Sequence, residues 1–264
     1  MADLDLRLAQ SVAVEAAHKA GKRTLAYFNA GVEVDEKSDD TPVTIADREA
    51  EHVVRDYLAK HFPTHTIVGE EHPDAPGDPN FKWIIDPIDG TKSFIHGVPL
   101  YGVLIGLEVR GRIDVGVIHM PALGETICAA RGEGAYFNGG RCKCSDVTRI
   151  EDATILAGSI TRVIDRSDAY RSLADRAKLN RGWGDAFGYA LVATGRADLM
   201  LDPKIAPWDC APMPVILEES DGWAGNWDGQ QDIYGPNWLA VTGGLKGAVL
   251  AELGQHPKRE TWAY

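Results

Sequence analysis

The sequence has no apolar run that approaches the roughly 18 residues of a membrane-spanning helix. Residues 1–5 also lack the basic stretch and the apolar run that begin a secretory signal peptide. We therefore expect a cytoplasmic protein that has no membrane partner.

Positive charge is scarce in this chain. Lysine and arginine total 27 residues against 39 aspartates and glutamates, which gives a formal net charge of -12. Nucleic acids and anionic membrane surfaces attract proteins through a positive footprint, so this balance argues against both as partners.

Cysteine is also rare, with four residues in the whole chain. Cys128 and Cys210 are isolated, and the C-x-C spacing of Cys142 and Cys144 does not match the usual zinc-binding pairs. We expect all four to be reduced thiols.

The chain does contain a large apolar fraction, 44% of 264 residues, which is ample for a substantial core. Apolar residues recur at helical spacing over residues 4–28 and 44–61. A surface loop is predicted over residues 72–80, and short apolar runs separated by glycine and proline predict an antiparallel meander. The predicted strands of this first half are residues 66–68, 83–85, 103–108, 113–119 and 125–130.

Beyond Gly139 and Gly140 the pattern changes, because strand-like and helix-like segments alternate. Such alternation is typical of an α/β arrangement. The predicted strands are residues 154–159, 197–201 and 238–242, and the predicted helices are residues 167–177, 186–194, 212–219 and 245–253.

The most informative segment is Asp-Pro-Ile-Asp-Gly-Thr-Lys at residues 86–92. We expect a strand over residues 83–85 to end at Asp86, since Pro87 removes a backbone donor and Gly90 permits a tight turn. Two carboxylates this close repel each other unless a cation lies between them, and Mg²⁺ prefers such oxygen ligands. An ordinary Asp-Pro turn explains the string equally well on its own.

Further carboxylates also follow apolar runs directly. Glu70 and Glu71 follow residues 66–69, and Asp209 follows Trp208. Each alone is more typical of a solvated loop than of a metal site.

Together, these segments are similar to the inositol monophosphatase superfamily of Mg²⁺-dependent, lithium-sensitive phosphatases. The shared motifs are D-P-I-D-G-T at residues 86–91, W-D-C-A at 208–211, G-E-E at 69–71 and V-T-I-A-D at 43–47, in the family's order and spacing. The resemblance covers essentially the whole chain. It implies one catalytic domain over residues 1–264, folded as a layered αβαβα sandwich of α+β or α/β class. Its halves would be residues 1–140, with helices and an antiparallel sheet, and 141–264.

The resemblance also implies two or three Mg²⁺ ions, for which Mn²⁺ could substitute. Glu70, Asp86 and the carbonyl of Ile88 would hold the first ion. Asp86, Asp89 and Asp209 would hold the second, and a third, weaker ion would lie near Glu70. Bound cations would offset the repulsion among these carboxylates and would attract a phosphate.

The implied reaction is in-line attack of a metal-activated water on a phosphate monoester. Catalytic roles are implied for Asp47, Thr91 and Glu70, and Asp47 and Thr91 would orient the water. We expect a helix to begin near Thr91, where backbone N–H groups would bind anions. Implied substrate contacts come from Asp89, Gly90, Thr91, Asp185, Asp202 and Asp209.

Two positions are ambiguous in this comparison. Lys37 lies where the family has a basic residue near the metals, but it reads equally well as a surface lysine. Proline at residues 212 and 214 departs from the family pattern after Asp209, although proline is tolerated in a first helical turn.

The alcohol half of the ester is suggested by Asp185. Gly182-Trp183-Gly184-Asp185, followed by Phe187 and Tyr189, resembles the histidinol-phosphate phosphatase branch of the superfamily. Histidinol phosphate carries an ammonium and an imidazole, which Asp185 and Asp202 would attract. Alternatively, Asp185 caps a helix that begins near Ala186. Trp183 and Tyr189 either stack on an imidazole or pack within the fold.

We expect hydrolysis of L-histidinol phosphate in histidine biosynthesis, with inositol 1-phosphate as the alternative substrate. Fructose 1,6-bisphosphate and 3'-phosphonucleotides are less favoured, because the sequence contains no clear basic cluster for a second phosphate. A catalytically silent metal-binding homologue is the alternative from another class. The resemblance suggests a homodimer.

Overall fold

The computed structural model describes residues 4–36, 42–256 and 258–259. Lys37 lies outside these residues. The helices described in the first half are α1 (Leu6–Leu25), α2 (Ile45–His61) and α3 (Thr91–Ile95). The strands described there are β1 (Val34–Glu36), β2 (Pro42–Thr44), β3 (His65–Gly69), β4 (Asp78–Asp89), β5 (Gly102–Val109), β6 (Arg112–Met120), β7 (Glu125–Ala130), β8 (Gly134–Phe137) and β9 (Gly140–Arg141).

The second half alternates strands and helices, as its sequence pattern predicts. The described strands are β10 (Thr154–Ala157), β11 (Leu179–Arg181), β12 (Leu199–Asp202), β13 (Gly222–Gly225) and β14 (Trp238–Thr242). The described helices are α4 (Ile160–Arg166), α5 (Ala169–Arg176), α6 (Asp185–Ala193), α7 (Pro207–Cys210), α8 (Met213–Glu218) and α9 (Lys246–Gln255), with short 3₁₀ helices at Ile150–Asp152 and Gly243–Leu245.

Two sheets form the centre of the molecule. The seven-stranded sheet has the order β3-β4-β5-β6-β7-β8-β9 and is antiparallel except for the parallel pair β3 and β4. The five-stranded sheet has the order β11-β10-β12-β14-β13, and β10 runs parallel to both of its neighbours. The predicted meander is therefore confirmed.

Alternating side chains of the seven-stranded sheet enter two different cores. Trp83 and Ile85 pack with α1 and α2, whereas Ile84 between them packs with α6 and α8. The five-stranded sheet covers the other side of α6 and α8 and packs its second face against α4, α5 and α9. Helices and sheets therefore alternate in five layers, and the expected αβαβα sandwich is confirmed.

Strand β4 continues through the Asp-Pro-Ile-Asp motif, so the expectation that it stops at Asp86 is wrong. Asp86 pairs with Leu104, and Asp89 pairs with Gly102. An advance of three residues along β4 therefore corresponds to an advance of two residues along β5. The extra residue forms a β-bulge around Pro87. Proline has no backbone N–H to donate to a neighbouring strand. The bulge accommodates Pro87 because the hydrogen-bond ladder is interrupted there.

The long helices and the central strands lie close to their predicted positions. The predicted loop over residues 72–80 is too long, because β4 begins at Asp78. Elements missing from the sequence prediction include β8, β11, β13, α4 and α7, which span three to seven residues each and show no clear periodicity. All four cysteines are free thiols, as expected. Among the described residues, none of the helices combines the length and apolar character needed to cross a membrane.

Candidate active site

Three carboxylates meet at the bulge of β4. Asp86 and Asp89 come from the bulge itself, and Asp209 comes from α7; one oxygen of each lies within 4.8 Å of the others. In a regular strand, residues three positions apart point to opposite faces. The extra residue of the bulge changes this alternation, so both β4 carboxylates reach the same point.

Backbone N–H groups fix each of these carboxylates. The N–H of Ile88 donates to Asp86 Oδ1 at 2.9 Å, and that of Ala206 donates to Asp209 Oδ2 at 2.9 Å. The N–H of Ala186, in the first turn of α6, donates to Asp89. A carboxylate at the N-terminus of a helix is stabilised by the exposed N–H groups and the helix dipole.

The acidic cluster fits a hard cation. Burial and the charges of Glu70, Asp89 and Asp209 raise the pKa of Asp86 well above its ordinary value. Burial likewise raises the pKa of Asp209 to about 7. Asp89 Oδ2 is buried and has no hydrogen-bond partner among the described residues. A buried carboxylate oxygen without a donor is suited to binding a metal ion. The ion would also offset the repulsion among the aspartates.

Glu70 and the Ile88 segment line the same cleft as the three aspartates. This cleft has a volume of about 250 Å³ and contains Glu70, Ile88, Thr91 and Asp185 in its wall. Glu70 directly follows β3, which pairs with β4, and its charge raises the pKa of Asp86 and of Asp209. All five expected metal-binding positions therefore border one cleft.

Of the two expected water-orienting residues, Thr91 lines the cleft, and Asp47 lies near enough to Glu70 for that charge to raise its pKa. Thr91 begins α3 after Gly90, whose φ of +87° is a conformation that favours glycine. The Thr91 hydroxyl donates to the Ile88 carbonyl at 3.0 Å. Asp47 is buried in the first turn of α2, where its Oδ2 accepts the N–H and the hydroxyl of Thr44 at 2.8 and 2.7 Å. The described contacts place no direct hydrogen bond between Asp47 and Thr91.

Asp185 and Asp202 line a second cavity of about 330 Å³, which adjoins the first. Asp185, Lys92 and Arg162 line both cavities. Burial raises the pKa of Asp202 to about 7, while the Tyr189 hydroxyl lowers it by donating to Asp202 Oδ2 at 2.5 Å. Burial also raises the pKa of Asp185, and Lys92 lowers it.

Two interpretations of this segment are corrected by the structure. Asp185 is the first residue of α6, and none of the described hydrogen bonds joins its carboxylate to a backbone N–H of that helix, so the contacts do not support the capping role. Tyr189 does not stack on a ligand, since its ring is buried in the core and its hydroxyl is bound to Asp202. Trp183, by contrast, has 41% of its surface exposed.

Several residues that shape the site are not predicted from the sequence as functional residues. Gly158 and Gly184 line the second cavity and pack closely, since a Cβ added to Gly184 would lie 2.1 Å from the Gly158 Cα. Glu51 lies on α2 next to the Glu70 turn and is fully buried. The sequence did contain a signal for Glu51, because it is an acidic residue on the apolar face of the helix predicted over residues 44–61. Gly158 gave no such signal, and Gly184 stood out only as part of the motif that contains Asp185.

Comparisons with known proteins agree on one family. Residues 5–258 match the inositol monophosphatase family. A histidinol-phosphatase of Chlorobaculum parvum is 42% identical over 92% of this chain and 95% of its own length. A histidinol-phosphatase of Mycobacterium tuberculosis is 34% identical over 92% of this chain and 96% of its own. The structure of an inositol monophosphatase from Anabaena (Nostoc) superposes with a TM-score of 0.84 at 30% identity, covering 98% of this chain and all of that one.

Proposed function

This chain belongs to the inositol monophosphatase family, and on that basis we propose that it is a Mg²⁺-dependent phosphoric monoester hydrolase that acts on L-histidinol phosphate in histidine biosynthesis. The observation that carries the substrate proposal is the pair of carboxylates, Asp185 and Asp202, in a cavity that adjoins the acidic cluster. A partly buried anionic pair favours an ester whose alcohol half is cationic.

Mg²⁺ would be held by Glu70, Asp86, Asp89, Asp209 and the carbonyl of Ile88. Support comes from the Asp89 oxygen that has no hydrogen-bond partner within the described part of the chain, and from the raised pKa values of the aspartates. When bound, Mg²⁺ would supply a nucleophilic water at neutral pH and neutralise charge on the phosphoryl group.

The residues around the cluster would bind and orient the reactants. The only proton of the Thr91 hydroxyl is donated to the Ile88 carbonyl, so its remaining lone pairs can accept a hydrogen bond from the attacking water. Asp47 would complete this orientation from the N-terminus of α2. Lys92 and Arg162 border both cavities and would hold the phosphate between them by charge attraction.

The alcohol half would extend into the second cavity. There, Asp185 and Asp202 would accept hydrogen bonds from the ammonium and the imidazole of histidinol. The histidinol-phosphatase names of similar proteins support this choice. Inositol 1-phosphate is the alternative, supported by the similarity to the inositol monophosphatase from Anabaena.

A substrate panel tests the proposal. Phosphate release from histidinol phosphate, inositol 1-phosphate and fructose 1,6-bisphosphate would be measured with the purified protein in EDTA and in Mg²⁺. We expect activity that requires Mg²⁺ and a kcat/KM at least about tenfold higher for histidinol phosphate, a difference of about 1.4 kcal/mol. Equal or faster hydrolysis of inositol 1-phosphate would refute the substrate. Absence of hydrolysis for every ester would favour the catalytically silent homologue. The homodimer, which rests on the family resemblance alone, would be tested by light scattering.

A further inference from the structure

We infer that Glu51 is a positioning residue for Glu70, acting through the turn that carries this proposed metal ligand. The turn comprises residues 69–72, directly after β3. This inference rests on the proposed metal site and adds a residue that touches neither metal nor substrate.

The carboxylate of Glu51 accepts three hydrogen bonds. Its Oε2 accepts the N–H of Glu71 at 2.7 Å, and its Oε1 accepts the N–H of His72 at 3.2 Å. Oε1 also accepts the Nε–H of Arg55 at 2.6 Å, one helical turn away on α2. Glu51 is fully buried, so water does not compete for these bonds.

Arg55 extends this contact to the far end of the turn. Its Nη2 donates to the carbonyl of His72 at 3.0 Å, and its side chain is 12% exposed. The His72 ring lies 2.9 Å from the carbonyl of Arg48 through Nε2. Arg48, Glu51 and Arg55 are spaced three and four residues apart and so lie on one face of α2. All three contact the turn.

The near end of the turn is fixed by close packing. A Cβ added to Gly69 would lie 2.3 Å from Glu51 Oε1 and 2.5 Å from its Cδ. The carboxylate thus lies against the backbone immediately before Glu70 and accepts the N–H immediately after it. Glu70 is held on both sides, which leaves its side chain directed into the cleft that contains Asp86 and Asp209.

A carboxylate is required for this arrangement because all three groups that form the described hydrogen bonds to it are donors. A glutamine at residue 51 would keep the size but would present an NH₂ group to at least one N–H or to Arg55. A buried ion pair of this kind is weak evidence for a role in stability, since apolar replacements are often neutral. The contacts on both sides of Glu70 point instead to placement of that ligand.

The test compares Glu51→Gln with a control on the same helix, Asp56→Asn. The Asp56 side chain is 71% exposed and is paired with His52 in α2. Mn²⁺ binding to the metal-free proteins would be measured by electron paramagnetic resonance. Hydrolysis of p-nitrophenyl phosphate would be measured across a range of Mg²⁺ concentrations, and thermal melting would be recorded in EDTA.

We expect Glu51→Gln to weaken Mn²⁺ binding by about 10- to 100-fold, the usual effect of losing a group that orients a metal ligand. The Mg²⁺ concentration for half-maximal activity should rise by a similar factor, while kcat at saturating Mg²⁺ stays within a few-fold of wild type. Asp56→Asn should match the wild type in all three measurements.

Wild-type Mn²⁺ affinity in a folded Glu51→Gln protein would overturn the inference, as would a loss of kcat that Mg²⁺ does not restore. Should Glu51→Gln fail to fold, Glu51→Asp keeps the charge but is one methylene too short to reach both N–H groups. It should also bind Mn²⁺ more weakly, and unchanged binding would overturn the inference. A wild-type protein that binds no Mn²⁺ would instead refute the proposed function.

Discussion

The carboxylates of Asp185 and Asp202 converge on one backbone position, Gly158. A Cβ added to Gly158 would lie 3.0 Å from Asp202 Oδ1 and 3.5 Å from Asp185 Oδ1. The N–H of Gly158 donates to Asp202, and a side chain at residue 158 would crowd both carboxylates. The charge of each carboxylate also raises the pKa of Asp89 in the acidic cluster. The two cavities therefore interact electrostatically.

Replacing Asp185 should separate binding of a cationic alcohol from phosphate chemistry. Asp185 has a φ of +53°, a left-handed conformation that asparagine tolerates better than alanine does, so Asp185→Asn is the suitable variant. Loss of a hydrogen bond to a charged group costs about 1.5 to 3 kcal/mol. We therefore expect the KM for histidinol phosphate to rise by at least about tenfold. Hydrolysis of glycerol 2-phosphate, a neutral alcohol ester, should change little.

A matched control exists in Asp221→Asn, because Asp221 is exposed and also has a left-handed φ, of +64°. It should leave the kinetics of both esters unchanged. Equal losses on the two esters in Asp185→Asn would mean that Asp185 supports the acidic cluster and does not select the alcohol.

The amino-acid sequence predicts the layers and the acidic positions because both leave strong local signals. Helical periodicity identified α1 and α2, and glycine and proline marked the ends of the central strands. Family motifs named Asp86, Asp89 and Asp209, which the structure brings within 4.8 Å of one another. The bulge that makes this possible was not predicted, since it depends on how β4 pairs with β5 and not on the residues of β4 alone.

Contacts between distant segments were also beyond sequence reasoning. In the sequence, Tyr189 is an aromatic residue near a glycine-rich turn, a pattern that fits either ligand stacking or core packing. The structure shows that α6 packs against β12, which lets the Tyr189 hydroxyl bind Asp202. Gly106 and Gly116 are a similar case. They pair across β5 and β6, and the chain that links α7 to α8 lies directly on them.

Gly106→Ala should disturb Asp209 through this contact. The added Cβ would lie 2.7 Å from the Ala211 Cβ and 2.9 Å from the Ala211 carbonyl carbon, two residues after Asp209. Inserting a methyl group into a packed core costs about 1 to 3 kcal/mol. We expect a loss of stability in this range on urea unfolding, together with weaker Mn²⁺ binding in calorimetry.

Gly247→Ala provides the comparison for Gly106→Ala. Gly247 lies in α9, and a Cβ added there has no neighbour within 4 Å among the described residues. Alanine should stabilise the helix by up to about 1 kcal/mol and leave Mn²⁺ binding unchanged. A Gly106→Ala protein that loses stability but binds Mn²⁺ normally would show that Asp209 does not depend on this packing.

Asp209 of the acidic cluster and Asp202 of the second cavity should make the metal-free protein less stable as pH rises. Asp209 and Asp202 have pKa values of about 7 in the folded chain, well above the ordinary value of 3.8. Between these limits the folded state binds more protons than the unfolded state. The free energy of unfolding therefore falls as pH rises from about 4 to about 7, by up to about 1.4 kcal/mol per pH unit for each extra proton bound.

Mg²⁺ should oppose this dependence, because it binds the deprotonated carboxylates and displaces their protons. We expect the stabilisation by Mg²⁺, measured as the difference in urea midpoint between Mg²⁺ and EDTA, to be larger at pH 8 than at pH 5.5. Calorimetry in buffers of different ionisation enthalpy should detect more protons released per Mg²⁺ at pH 6 than at pH 8.5. Asp209→Asn removes one of these groups and should reduce both effects. A pH-independent increment from Mg²⁺ would mean that the carboxylates of the cluster are already ionised in the metal-free protein.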